Sequence, residues 1–213
     1  MSKLRFHITT SLDGFVAGPN QSLDNPLGEG GLDLHAWVFP LEAWRRSEGQ
    51  DGGEVNASNA VVEESVTNVG AYIMGRNMFG GGPGPWPDDP WNGWWGADPP
   101  YHTPVFVLTN HARAPLSMEG GTTFNFVTDG IESALAQAKA AAGDRDVMLA
   151  GGASVAQQYL AAGLIDEMEL HIVPVLLHEG ARLLEQLGDG PALQQVRSIE
   201  APGVTHIKYR VVK

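Results

Sequence analysis

Val147-Met148-Leu149-Ala150-Gly151-Gly152-Ala153-Ser154-Val155 is the most informative run in this 213-residue chain. Four apolar residues read as a buried strand, a glycine pair ends it, and Ala153 to Ala162 continues as a helix that stops at Gly163. Strand, glycine and helix in that order bring backbone amides and a positive helix terminus to one point, which suits a phosphate group. The arrangement recurs in Tyr72-Ile73-Met74-Gly75-Arg76-Asn77-Met78, where Arg76 adds a planar guanidinium fork. A glycine after a strand often serves only to turn the chain. Two such points in one chain give the phosphate reading more weight. No G-x-G-x-x-G opens a helix and no G-x-x-x-x-G-K-[ST] is present, so the Rossmann fingerprint and the P-loop are set aside.

The flanking segments supply alternating strands and helices. Leu4, Phe6 and Ile8 alternate with Arg5, His7 and Thr9 in the period of a strand with one buried face. Ser11-Leu12-Asp13-Gly14 turns the chain before a short Phe15-Val16-Ala17 segment. Residues 21–53 are mostly irregular, with room for a helical turn around Trp37 and Trp44. Between Asn56 and Val69, the residues Val61, Val62, Val66 and Val69 form a helical stripe, with Glu63 and Glu64 opposite. Ala71 to Met74 reads as a buried strand. Residues 80–100 hold six glycines, six prolines and four tryptophans, which excludes a regular helix or a central strand. Val105 to Leu108 and Phe124 to Val127 are further strands, Ile131 to Ala142 is a helix, and Glu167 to Val173 is a strand. Leu193 to Ile199 and Thr205 to Val212, separated by Pro202-Gly203, predict an antiparallel pair at the end of a largely parallel sheet.

Composition narrows the function. With 25 acidic and 13 basic residues the net charge is −12, which disfavours nucleic acid and anionic membrane surfaces as partners. Cysteine is absent, which removes disulfides and thiolate chemistry. The seven histidines show no metal spacing, so no metal is expected, and His171 and His178 read as structural. No apolar run approaches the roughly 20 residues of a membrane span, and no signal-peptide pattern opens the chain, so the expected location is cytoplasmic.

Several motifs, in order, resemble the dihydrofolate-reductase-like superfamily, and most closely the C-terminal reductase domain of riboflavin-biosynthesis enzymes. They are Ser11-Leu12-Asp13-Gly14-Phe15-Val16-Ala17, Met74-Gly75-Arg76, Val107-Leu108-Thr109-Asn110, Gly151-Gly152, Leu164-Ile165-Asp166-Glu167-Met168 and Ile172-Val173-Pro174-Val175-Leu176-Leu177. The resemblance implies one domain over residues 1–213, an α/β three-layer fold with a mostly parallel central sheet, an antiparallel C-terminal hairpin and helices on both faces. It further implies NADPH as cofactor, with the nicotinamide near Val16 and Ala17. The pyrophosphate would lie against Gly75, Arg76, Asn77 and Met78 and against Gly151, Gly152, Ala153, Ser154 and Val155. Arg76, Thr109 and Asn110 would face the adenosine end, where an arginine suits a 2′-phosphate.

The substrate side carries less. Where the family's dihydrofolate reductases place an acid on the helix before the Met-Gly-Arg strand, this chain has Asn59. Ala150 stands where many pyrimidine reductases carry glutamate. Asp13 is the candidate catalytic group, able to hold a ring or a proton donor; it is equally readable as a turn residue capping its own backbone. Glu63 and Glu64 read as solvated. The loop tryptophans Trp86, Trp91, Trp94 and Trp95 fit ligand stacking, a dimer contact or anchoring of the loop. The expected activity is NADPH-dependent hydride transfer to a small pyrimidine- or pterin-like heteroaromatic substrate; the alternative is a non-catalytic dinucleotide- or flavin-binding protein. A homodimer is expected too, from the resemblance and from the uncharged stretch Leu170 to Leu177, read as an unprotected sheet edge.

Overall fold

The alternation at the start of the chain becomes β1 (Leu4–Ser11), and its position explains why both of its faces matter. In chain order there follow β2 (Phe15–Ala17), a 3-10 turn (Gly31–His35), α1 (Glu42–Ser47), α2 (Ala57–Val66), β3 (Val69–Gly75) and α3 (Arg76–Phe79). After the tryptophan-rich loop come β4 (Pro104–Leu108), β5 (Leu116–Ser117), β6 (Thr123–Val127), α4 (Ile131–Ala142), β7 (Asp146–Gly151) and α5 (Ala153–Ala161). The chain ends with β8 (Glu167–Val173), β9 (Ala181–Arg182), β10 (Ala192–Ala201) and β11 (Val204–Val212). This computed structural model describes residues 2–185, 187–188 and 190–213.

Nine strands form one sheet in the order β10-β11-β8-β1-β7-β3-β4-β6-β5. Strands β8, β1, β7, β3, β4 and β6 are mutually parallel; β11 and β10 close one side antiparallel, and β5 pairs antiparallel with β6 on the other. The fold is therefore the α/β arrangement with a parallel centre and an antiparallel hairpin. Strands β3, β4 and β7 are largely apolar on both faces because helices or loops cover both. On one face α4 and α5 pack Ala134, Leu135, Ala138, Val155, Ala156, Tyr159 and Leu160 onto Leu4, Phe6, Ala71, Ile73, Phe106, Val147 and Leu149. Removing a side chain such as Phe6 or Leu149 from water contributes about 1.5–3 kcal/mol each. On the other face Met74, Val105, Val107 and Phe124 meet Phe79 and the loop tryptophans.

The same face is polar on the β1 side, which sequence alternation alone assigns to water. Here it is a buried layer under α2. Arg5 donates to the carbonyls of Thr67 and Glu64 at 2.9 Å, holding the C-terminal end of α2 where the helix carbonyls lack partners. His171 and His206 face each other Nδ1 to Nδ1 at 2.7 Å, and Ser58 Oγ lies 2.9 Å from His206 Nε2. The expected structural role of His171 therefore takes the form of a buried polar network.

Three expectations need correction. The valine stripe ends early: Val66 is exposed and Val69 opens β3, because Thr67 and Asn68 leave the helix, Asn68 at φ +60°. Glu64 is not a free solvated charge but is held by Arg197 at 2.6 Å and Lys208 at 2.7 Å across the sheet. Leu170 to Val173 is not a sheet edge either, since β8 lies between β1 and β11, and the uncharged run is what a doubly covered inner strand requires. The outer strands are β10 and β5.

Candidate functional site

The carboxyl ends of β1, β3, β4, β6 and β7 open into one cavity of about 870 Å³. Its wall gathers Val16, Ala17, Gly75, Arg76, Asn77, Met78, Thr109, Asn110, Gly151, Gly152, Ala153, Ser154 and Val155, all thirteen of the residues expected to hold a dinucleotide. They come from four separate segments, so the parallel sheet is what assembles them. The volume lies within the usual range for ligand and cofactor pockets.

Glycine has a different reason at each of the three positions Gly75, Gly151 and Gly152. At Gly75 a β-carbon would lie 2.7 Å from Val155 Cγ2, so the residue lets α5 pack close to β3. Gly151 has φ +122°, which side-chain-bearing residues rarely adopt, and the peptide to Gly152 is cis. Gly152 has neither constraint: φ is −82° and a β-carbon there would meet no protein atom within 4 Å. Nothing inside the protein asks for a bare backbone at that wall, whereas a diphosphate lying against it would. Gly152 also caps α5 with no side-chain hydrogen bond, leaving the first-turn amides of Ala153, Ser154 and Val155 for an outside acceptor. The residues present thus fit the phosphates of a dinucleotide.

A second helix start points the same way and escaped the sequence reading. Gly130 caps α4 without a side-chain bond, and Thr128, Gly130 and Ile131 line the cavity. Val127-Thr128-Asp129-Gly130-Ile131 repeats the strand, glycine and helix order of the other two turns, so the signal was present in the sequence. His35, Ile8 and Thr9 also reach the wall. Only the packing of the 3-10 turn against β1 and β2 brings His35 there.

Arg76 is held in place. Its Nε donates to Gly80 O at 3.2 Å, Nη2 to Gly81 O at 3.4 Å and Nη1 to Thr109 Oγ1 at 3.3 Å. The guanidinium lies 3.2 Å from the ring centre of Trp86, with Arg113 at 4.9 Å from the same ring. Burial lowers the Arg76 pKa, and the neighbouring Arg113 charge lowers it further. Among the described residues neither arginine pairs with a carboxylate, so this end of the cavity carries uncompensated positive charge in an acidic protein.

The tryptophans are anchors. Indole N–H groups of Trp86, Trp91 and Trp94 donate at 2.9 Å to the carbonyls of His111, Phe79 and Met78. Trp95 stacks on Phe124 at 5.8 Å. Trp94 and Trp95 also present a face to the cavity.

Asp13 is not on that wall. Its carboxylate accepts from Ser11 Oγ at 2.6 Å, from Leu177 N at 3.2 Å and from His178 N at 2.8 Å, tying the β1–β2 turn to the segment after β8. The Ser11 hydroxyl, with the two amides, brings its pKa down to about 2. The turn-residue reading is the one the geometry matches, extended to a neighbouring loop. Asn59 is buried away from the cavity with its Oδ1 accepting the Ala43 N–H at 3.1 Å, and Ala150 does line the wall.

Comparison with known proteins agrees with this geometry. Residues 2–207 match the model of the RibD C-terminal domain family. None of the curated proteins compared with the chain matches it. Among solved structures, a riboflavin biosynthesis protein from Shewanella sp. PV-4 superposes with a TM-score of 0.64 at 23% identity, covering 99% of both chains. Acinetobacter baumannii RibD gives 0.57 at 17% identity, with all of this chain matching 59% of that one. Dihydrofolate reductase from Enterococcus faecalis, solved with NADP(H), gives 0.55 at 13% identity over 99% of this chain and 97% of that one. The fold is thus the dihydrofolate-reductase-like one, and the chain belongs to the RibD C-terminal domain family.

Proposed function

We propose that this protein is an NADPH-dependent reductase acting on a small heteroaromatic, pyrimidine-like substrate. Family membership supports a reductase of the riboflavin-pathway or dihydrofolate-reductase kind. The observation that carries the cofactor is Gly152, a wall glycine with no internal cause, at the uncapped start of α5. When bound, NADPH supplies the hydride. The chain's own part is to bind and orient. Amides of Ala153, Ser154 and Val155 would take the diphosphate, Arg76 and Thr109 the adenosine end, and Val16 and Ala17 the nicotinamide face. Trp94 and Trp95 would exclude water from the reacting ring.

Purified protein mixed with NADPH and a panel of pyrimidines, pterins, quinones and flavins tests this by loss of the reduced nicotinamide absorbance. Oxidation with one class supports the reductase. Concentration-dependent thermal stabilisation by NADPH without oxidation of any acceptor would favour the non-catalytic binder instead. The lack of an acid at Asn59 and at Ala150 supports that second reading, and of the two Ala150 is the one on the cavity wall.

The reading includes a cytoplasmic enzyme acting as a homodimer. No described helix is long and apolar enough to cross a membrane. For the dimer, the free edge of β10 replaces Leu170 to Leu177: ten residues long, with Leu193 and Val196 exposed.

A further inference from the structure

The substrate end of the cavity has a chemistry that none of the sequence motifs describes. His35 closes the 3-10 turn that packs on β1 and β2, and it shares the cavity wall with Thr9, Val16 and Ala17. Its Nδ1 is buried without a hydrogen-bond partner, and the ring stacks beside Phe39 at 6.4 Å. Nε2 has no hydrogen bond among the described residues, and with His35 on the cavity wall it is the imidazole atom left for a ligand. Thr9 Oγ1 accepts the Trp37 indole N–H at 3.4 Å, which leaves the hydroxyl proton free to donate.

Carboxylates are missing from this end. Among the described wall residues the one acid is Glu185, half-exposed and 3.6 Å from Arg182. A ring recognised through a protonated amidine needs a carboxylate partner in a partly buried site, or the charge is stranded. A ring carbonyl needs donors, and Thr9 and His35 are donors. Ile8, Val16, Ala17, Leu27 and the two tryptophans add apolar wall, and Gln21, whose amide N–H donates to the Pro26 carbonyl, is a further polar side chain on it.

We propose that His35 is the proton donor of this site and that the substrate is a neutral ring bearing a conjugated carbonyl. The inference rests on the dinucleotide reading above, with the nicotinamide end at Val16 and Ala17. As the ring carbon conjugated to the carbonyl accepts hydride, its π electron pair shifts toward oxygen. That oxygen takes the Nε2 proton of the His35 imidazolium. The product is an enol, which for a quinone tautomerises to the hydroquinone, and His35 is left neutral with its remaining proton on Nδ1, to be recharged from solvent. Hydride and proton together account for the two electrons and two hydrogens gained.

A pH signature follows. Burial pushes the His35 pKa below its ordinary value, partly offset by the Gly31 carbonyl. The ionisable neighbour is His171 on β8, itself held neutral by burial; Asp33 on the same turn is exposed, and Phe39 and Trp37 carry no charge. The charged, donating form therefore gains population as pH falls from neutrality, and turnover should rise about tenfold per pH unit on the alkaline side of that pKa.

The decisive experiment follows histidine-ring nitrogens and backbone amides by NMR while NADP+ is added to the whole protein, then menadione or 2,4-diaminopyrimidine to the saturated complex. Shifts at the Gly152 to Val155 amides and at His35, followed by a further His35 shift with menadione but not with the diaminopyrimidine, support the proposal. Unmoved amides would sink the cofactor reading itself. Moving amides with a silent His35, or a His35 that responds to the diaminopyrimidine alone, would overturn the proposal while leaving that reading intact. With menadione as acceptor, His35→Gln should lower kcat roughly a hundredfold at acid pH and abolish its pH dependence. The Kd for NADP+ should stay within about twofold, since no role in holding the cofactor is assigned to the side chain. Added imidazole should partly restore His35→Ala. A variant that keeps the wild-type pH profile would also overturn the assignment.

Discussion

Gly152 and Gly75 are chemically identical and would respond oppositely to the same change. A β-carbon at Gly152 meets open space at an ordinary φ, so Gly152→Ala should leave Tm within a few degrees while weakening NADPH binding by about tenfold or more. At Gly75 the new carbon lies 2.7 Å from Val155 Cγ2, so Gly75→Ala should destabilise by about 1–3 kcal/mol through overpacking, measurable by denaturant unfolding. Arg76 combines both effects. Arg76→Ala should weaken NADPH much more than NADH in direct titration, and should also loosen the loop that hangs on its bonds to Gly80 and Gly81. Equal loss for the two nucleotides would remove its assigned role at a 2′-phosphate. The glycines and Arg76 were legible as a candidate site because backbone freedom and positive charge are local properties. Asp13 was legible only as a polar turn residue; which amides it accepts from depends on residues more than 160 positions away.

Element pairing is where the Asp13 interactions act. Its carboxylate joins the turn between β1 and β2 to Leu177 and His178, and β2 in turn pairs with β9, so one side chain orders the wall that carries Val16 and Ala17. Asp13→Ala should leave the main sheet intact but speed hydrogen exchange at the Leu177 and His178 amides. Asp13→Asn, which keeps an acceptor oxygen, should restore part of the protection. Unchanged exchange in the alanine variant would mean the turn is held by backbone bonds alone, such as Leu12 N to Val175 O. The strands and helices themselves were mostly legible. The regular elements from β3 to α5 follow apolar runs and glycine stops, and the β10–β11 hairpin follows Pro202-Gly203. The end of α2 was misread because the valine periodicity continues through Thr67 and Asn68 into β3 without a break in pattern.

The buried histidine layer governs behaviour at the scale of the molecule. Burial lowers the His7 pKa to about 3 and that of His206 to about 4, and holds His171 well below its usual value. Each binds a proton more weakly folded than unfolded, so its contribution is complete above the unfolded value of 6.5 and is lost as pH falls from there toward the folded values. Tm should therefore fall steeply between about pH 6.5 and 4, before Asp13 and Glu64, both lowered to about 2, begin to protonate and add their own loss. His206→Gln should flatten the upper part of that decline; an unchanged slope would show that the histidines do not set it. The proposed dimer belongs to this scale as well. Sedimentation should give twice the chain mass, and Val196→Lys on the free β10 edge should shift it toward monomer. A wild-type monomer across micromolar concentrations would reject the dimer.

The sequence by itself determined the fold class and the two glycine turns, because periodicity and glycine placement are written in neighbouring residues. Tertiary structure decided the rest. It joined four glycine- and loop-bearing segments into one cavity wall, placed Asp13 off that wall and His35 on it, and buried the polar face of β1 under α2. The physical reason is the parallel sheet. Its crossovers place residues far apart in the chain along one carboxyl edge, and whether a polar side chain there meets solvent, a loop or a ligand is settled by what packs across from it.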